Sequence, residues 1–332
     1  MKMDEQQSFD VSIIVPTYNS ENTIVRLLKS INLYCNNLKV ELILVDDGST
    51  DDTCYIERNF TFNKNIISKI IKLSHSGVST ARNIGIENAN GKYLVFFDSD
   101  DALSSEFQSL FSNSNNERFN AQVVSFSARV PQNHNNKVFK GKDIKYLALT
   151  MVYGKYKEFI PDEYEMSASN KLYLRSFILK YNIKFDPNLS CWEDLFFNMK
   201  ILNKVETILV KQGDIFIYYQ DNNNSVTHNA TNSIVNDAKY VYKNSMFIFN
   251  DNLVFTKYEA AYFISRIVGG YLALNPNTKV YKNLIETIPL DDRSFKYADT
   301  IQHKFILWGL QHLGLLRTVG IYRTLKSLKK KG

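Results

Sequence analysis

The chain has 332 residues, of which 44% are hydrophobic and 22% charged, an ordinary balance for a globular protein able to bury a sizeable core. No apolar stretch reaches the ~18–20 residues needed to cross a bilayer, and the three cysteines, Cys35, Cys54 and Cys191, show no metal-ligand spacing. A formal net charge of +6 admits an anionic partner, and the sparse, odd cysteine set without a signal peptide fits a reducing cytoplasm.

The first ten residues are polar and are expected to be disordered. Val11 to Val15 reads as a buried strand stopped by Pro16. Ser20 is placed to cap a helix in which Ile24, Leu27, Leu28 and Ile31 recur at helical spacing up to about Tyr34. Val40 to Val45 predicts a second buried strand, running into Asp46-Asp47-Gly48, with Ser49 or Thr50 able to cap a short helix. Ile66 to Leu73 predicts a third strand, followed by a loop with His75 and then a helix from Val78 to Asn88 carrying Arg82. Strands alternating with helices in this rhythm imply βαβ units and a mainly parallel sheet.

After Gly91, the run Lys92 to Phe97 reads as a strand buried on both faces, and it ends in Asp98-Ser99-Asp100-Asp101. Crowded carboxylates repel one another, so a cation between them is expected, and a divalent ion holding a nucleotide diphosphate is the first hypothesis. Asp101 by itself reads instead as the cap of a helix over Ala102 to Phe107. Each acidic loop follows a strand, so the loops share the sheet edge where open α/β folds bind ligands.

Farther on, Glu106 to Phe111 predicts a helix, Gln122 to Ala128 a strand, and Pro131 to Lys142 an exposed polar excursion. Asn170 is placed to cap a helix from Lys171 to Tyr181, and Phe185 to Asn188 reads as a turn. Trp192-Glu193-Asp194 opens another helix, whose Leu195, Phe196, Met199 and Ile201 can pack inward. Thr207 to Val210 and Ile215 to Tyr219 read as short strands before a polar loop, Gln220 to Asn229, that contains His228. From about Ala230 helical patterns take over.

The ordered set Val15-Pro16-Thr17-Tyr18-Asn19, Val45-Asp46-Asp47-Gly48-Ser49-Thr50-Asp51, Gly77 to Asn90 with Arg82-Asn83, Asp98-Ser99-Asp100 and Trp192-Glu193-Asp194 resembles the family two glycosyltransferases. The similarity covers roughly residues 10 to 228. It implies a GT-A α/β fold over 11–229, a helical region over 230–332, and, for most members, transfer with inversion. It also implies a UDP-sugar donor and a bound Mn²⁺ or Mg²⁺.

By the same resemblance Pro16, Thr17 and Tyr18 flank the base, and Asp47 accepts the imide N–H of uracil. Asp100 is the direct metal ligand, while Asp98 contacts the ribose or the metal, with Ser99 between them. Arg82 matches an arginine near the base and diphosphate, though a salt bridge on a helix face is an equal reading. Lys171 is placed to meet phosphate. Asp194 is the expected general base, paired with Glu193, and Trp192 offers a floor for a sugar ring or core packing. His228 lies where a late-loop histidine completes the metal site in several such enzymes, and His75 can approach the nucleotide.

The expected acceptor is a hydroxyl of a glycan or lipid-linked glycan in capsule, exopolysaccharide, lipopolysaccharide or teichoic acid synthesis. The segment 304–332 carries seven basic residues and no acidic one, interleaved with Trp308, Leu310, Leu313, Leu316 and Leu325. That pattern fits peripheral contact with anionic lipid at the inner face of the cell membrane, or packing on the catalytic domain or a second subunit. Nucleic acid is disfavoured, because few stacking aromatics interleave the basic tail. Two alternatives are a sugar-1-phosphate nucleotidyltransferase, which needs a Gly-rich basic loop where Pro16 to Asn19 stands, and a non-catalytic glycan- or membrane-binding protein on the same scaffold.

Overall fold

The computed structural model describes residues 9–109, 121–127, 137–144, 147, 166–219, 236–237, 240–241, 243–244 and 308–309. The chain divides into two compact units. One comprises Met1–Lys145, Asp162–Leu189 and Glu193–Asn223, the other Tyr146–Pro161, Ser190–Trp192 and Asn224–Gly332. In the second, Asp237 Oδ2 accepts hydrogen bonds from the Ser190 and Cys191 amides and the Ser190 hydroxyl. The loop with His228, the expected helices after 245 and nearly all of 304–332 lie outside the described residues. So do the first eight residues.

The first unit is built on β1 (Val11–Thr17), α1 (Ile24–Tyr34), β2 (Val40–Asp46), α2 (Thr53–Asn59), β3 (Ile66–Lys72), α3 (Val78–Asn88) and β4 (Tyr93–Phe96). Then come β5 (Ala102–Leu103), α4 (Glu106–Ser109), β6 (Val123–Ser127), β7 (Lys137–Lys140), β8 (Lys171–Leu174), α5 (Arg175–Lys180), α6 (Glu193–Leu202), β9 (Thr207–Gln212) and β10 (Phe216–Ile217). Eight strands form one sheet in the order β3-β2-β1-β4-β8-β6-β9-β7, and β5 pairs with β10 in a second, two-stranded sheet. The neighbours β3, β2, β1 and β4 are all parallel, whereas β8 runs antiparallel to both β4 and β6. The result is the expected α/β fold with a mixed, mostly parallel sheet flanked by helices.

The alternation of β1 explains its two-sided burial. Val11, Ile13 and Val15 join Ile24, Leu27, Leu28 and Ile31 of α1 in one core. Ile14 meets α3 on the other face, where a Cβ on Gly85 would stand 2.3 Å from the Ile14 side chain. Gly91 is required for a similar reason. A Cβ there would sit 2.4 Å from the Ser12 amide nitrogen.

Several local expectations are corrected. Pro16 does not end β1: it pairs with Val45, and its missing N–H would have faced β4, whose pairing with β1 stops at Phe96. Ser20 does not cap α1 with its hydroxyl, which instead meets Ser99 Oγ at 2.7 Å. Asp51, not Ser49 or Thr50, receives the amide and hydroxyl of Thr53 at the head of α2. Ala102 and Leu103 are extended because they pair with Ile217 and Phe216, far along the chain. Lys137 to Lys140, expected as exposed loop, forms an edge strand on β9. Lys171 to Leu174 is a strand rather than the first turn of a helix. Its leader Asn170 has φ 61°, and its side chain donates to the Phe126 carbonyl and to Asp214 and accepts from the Ile215 amide.

Candidate active site

The loops that follow β1, β2 and β3 form one hydrogen-bonded corner. Asn19, at φ 47°, accepts from the Thr50 amide through its side chain, and its own amide donates to Ser49 Oγ. The Glu21 amide donates to Asp51 while the Asp52 amide donates to Glu21. Beneath them Asp47 is buried, accepting the Ser76 amide at 2.7 Å on Oδ1 and the Gly77 amide at 2.8 Å on Oδ2. Tyr18 is 47% exposed and its ring stacks on His75. Pro16 and Thr17 stand at the end of β1 behind it. The neighbouring Glu57 carboxyl is pushed up to about 7 by burial, with the charge of Asp46 adding to the rise.

A second corner is assembled around Arg82, buried on α3. Its Nη2 donates to Asp98 Oδ1 at 2.8 Å, and its Nη1 to Asp194 Oδ1 at 2.7 Å and Glu193 Oε1 at 3.1 Å. Sequence separations of 16, 111 and 112 residues are closed by packing. Asn83 exchanges hydrogen bonds with both backbone groups of Phe185, and Phe185 stacks on Phe197 of α6 at 3.9 Å. Phe96 of β4 meets both rings edge-on. This aromatic cluster brings the head of α6, and with it Glu193 and Asp194, to the end of β4. Arg82 thus pairs with Asp98, Glu193 and Asp194, while Glu87 on the same helix pairs with Lys184.

The electrostatics follow from three carboxylates sharing one cation. Burial opposes the Arg82 charge, but Asp194, Asp98 and Glu193 together raise its pKa above the ordinary arginine range. Burial and then the adjacent Asp194 charge push Glu193 up to about 7. Asp194 is additionally fixed by the Ala168 amide, 2.9 Å from Oδ2. Sequence reasoning missed Asn198, which donates to the Asp194 carbonyl at 3.0 Å and the Met166 carbonyl at 2.9 Å. The available signal was a lone amide in the middle of the apolar run Leu195 to Leu202.

In the acidic turn after β4, Asp98, Ser99 and Asp100 are half-buried and Asp101 is buried. Burial pushes the Asp101 carboxyl up to about 8, and the charges of Asp98 and Asp100 add to the rise, a measure of the negative field accumulated there. Arg26 of α1 donates to the Asp100 carbonyl and stacks on Tyr219 at 3.8 Å. Asp98 and Asp100 offer hard oxygens suited to a divalent cation. Among the described residues no group of three His, Cys, Asp or Glu side chains is gathered around a metal position. Lys171 lies on β8, fully buried, its Nζ 2.6 Å from the Ser167 carbonyl. Trp192 belongs to the second unit and has φ 67°.

Residues 12–180 match the family described as Glycosyl transferase family 2. The chain belongs to glycosyltransferase family 2. Among its relatives in that family, the minor teichoic acid biosynthesis protein GgaA of Bacillus subtilis is 30% identical over 70% of this chain and 51% of its own length. The poly(ribitol-phosphate) beta-N-acetylglucosaminyltransferase TarS of Staphylococcus aureus is 26% identical over 62% of this chain and 35% of that protein. The chain thus spans about half of GgaA and about a third of TarS. The crystal structure of TarS 1–349 with UDP-GlcNAc superposes with a TM-score of 0.63 at 21% identity, covering 97% of this chain and 92% of that one, which establishes the shared GT-A-like fold. Among the described residues of this family 2 chain no helix is long and apolar enough to cross a membrane.

Proposed function

We propose that the chain transfers a sugar from a UDP-sugar to a hydroxyl of a cell-surface glycan, with inversion at the anomeric carbon. The observation that carries this reading is the meeting of Asp98 with Glu193 and Asp194 on the Arg82 guanidinium. It sets the carboxylate after β4 beside an acidic pair from a different part of the chain. UDP and UDP-GlcNAc in the TarS structures support a uridine donor. The names of GgaA and TarS support a teichoic acid or related polyol-phosphate polymer as acceptor.

In this reading Asp47 accepts the uracil imide N–H and Tyr18 stacks on the ring, with Pro16 and Thr17 shaping the wall. Asp194 takes the proton of the acceptor hydroxyl as that oxygen bonds to the anomeric carbon and the bond to the diphosphate breaks. Arg82 and the Ala168 amide hold its carboxylate in one orientation, and each of its oxygens keeps a lone pair for the incoming proton. Glu193, whose carboxyl burial and the Asp194 charge push up, shares the Arg82 guanidinium with Asp98 and Asp194.

Asp98 and Asp100 would hold Mn²⁺ or Mg²⁺, with His228, outside the described residues, as the proposed further ligand. When bound, that ion supplies Lewis-acid neutralisation of the departing diphosphate. A distant mannosyltransferase from Pyrobaculum calidifontis, solved with GDP-Man and Mn²⁺, supports a metal in this fold, at a TM-score of 0.50 and 13% identity.

The basic segment 304–332 is proposed to rest on anionic lipid at the inner face of the membrane. Sedimentation with anionic and neutral vesicles separates this from a role in self-association. The transfer itself is tested by UDP release from a panel of UDP-sugars, UDP-GlcNAc first, with poly(ribitol phosphate) as acceptor and Mn²⁺ present. Turnover that disappears in Asp100→Ala supports the reading. No UDP binding with any donor, or full activity in that variant, overturns it.

A further inference from the structure

Tyr18 and Asp47, to which the proposed function gives the nucleobase, are already engaged by a single side chain. The His75 ring lies over the Tyr18 ring with centroids 4.3 Å apart and planes inclined by 28°. Its Nδ1 stands 3.0 Å from Asp47 Oδ2 and 3.1 Å from the Asp47 carbonyl oxygen. Both partners are acceptors, so Nδ1 carries the hydrogen and donates it. A flat heterocycle stacked on a tyrosine, with a ring N–H aimed at a carboxylate, reproduces the two contacts a uracil would make there.

The two rings leave no gap for a base. An intercalated ring needs about 7 Å between its neighbours, two contacts of ~3.5 Å each. Any base that stacks on Tyr18 from this side must first dislodge His75. The surrounding backbone is built to stay in place while that happens. The Ser76 and Gly77 amides are tied to Asp47, and Gly48, at φ 82°, packs so closely that a Cβ on it would stand 2.9 Å from the His75 backbone nitrogen. The His75 side chain itself is 61% exposed, so rotation about its own bonds can carry the ring into solvent.

We infer that His75 is an internal surrogate for the nucleobase, seated in the base site when no nucleotide is bound and displaced by the donor. This rests on the assignment of Tyr18 and Asp47 to the base. Its consequence is an apparent donor affinity reduced by the fraction of molecules in which the imidazole is seated. The surrogate also keeps the Tyr18 face covered and Asp47 hydrogen-bonded between turnovers.

Calorimetry with UDP and Mn²⁺ on the full chain tests it. His75→Ala is expected to bind UDP roughly three- to tenfold more tightly, the range set by one aromatic stack and one exposed hydrogen bond. His75→Phe, which stacks but has nothing to donate to Asp47, falls between the two. In the wild type the His75 ring resonances move to solvent-like positions as UDP saturates. Weaker binding or unchanged affinity in His75→Ala, or a ring signal that does not move, overturns the surrogate while leaving the base site standing. Wild-type UDP affinity in Tyr18→Ala removes the base site itself, and the surrogate with it.

Discussion

At the base corner two backbone amides hold Asp47 and the exposed His75 ring only adds to them, whereas at the acid corner Asp98, Glu193 and Asp194 are held by one guanidinium. Backbone donors at fixed positions orient a carboxylate without adding a mobile charge. Arg82 instead supplies one positive charge to three carboxylates, so each partner's protonation state depends on the others. The first arrangement suits recognition of a neutral base, and the second suits chemistry in which charge and a proton move. The two corners should accordingly fail in different ways when single groups are removed.

The largest effect is expected at the acid corner. Asp194→Asn should lower kcat by about 10²- to 10⁴-fold, the usual contribution of a general base, with UDP affinity by calorimetry close to wild type. A comparable loss of UDP binding would place Asp194 with the donor and not the acceptor.

Arg82→Ala should cost about 3 kcal/mol of stability in urea denaturation, because three carboxylates lose their shared cation. That figure is taken from the low end of the range for buried pairs, since Asp98 is 46% exposed. Arg82→Lys keeps the charge but not the forked geometry, and should recover only part of the loss.

The base corner carries its own pH dependence through Glu57, a buried residue of α2. Its folded pKa of about 7 exceeds the 4.5 of an unperturbed carboxyl, so the folded state binds the extra proton. Stability from this group is full below pH 4.5, falls as pH rises to about 7, and stays low above it. Glu57→Gln should flatten that fall, by about 1–3 kcal/mol between pH 5 and 7.5 in denaturant titrations. A wild-type curve with no such slope would mean that Glu57 is ionised in the fold. The smallest effect is expected for Gly48→Ala, about 1–2 kcal/mol from a left-handed φ of 82° and contact with the His75 backbone, read as a lowered thermal midpoint.

The sequence alone determined the β1 to β4 half and its acidic loops. β1, β2 and β4 are parallel and buried on both faces, so each is a mostly apolar run, the edge strand β3 still shows its isoleucines, and α3 was legible to its ends, Val78 and Asn88. The ordered motifs also carried the resemblance to family 2, because several short signals in fixed order are specific where each alone is not. Local pattern failed where a neighbour from a distant segment decided the conformation. Lys171 to Leu174 has a helix-compatible composition but fills the gap between β4 and β6, and Ala102–Leu103 is extended only because Phe216–Ile217 lies beside it. The same reason governs the site. Arg82, Asp98, Glu193 and Asp194 could each be chosen from the sequence, but one buried guanidinium joining three carboxylates, and a histidine lying across Tyr18 and Asp47, arise from packing between segments that no local periodicity connects.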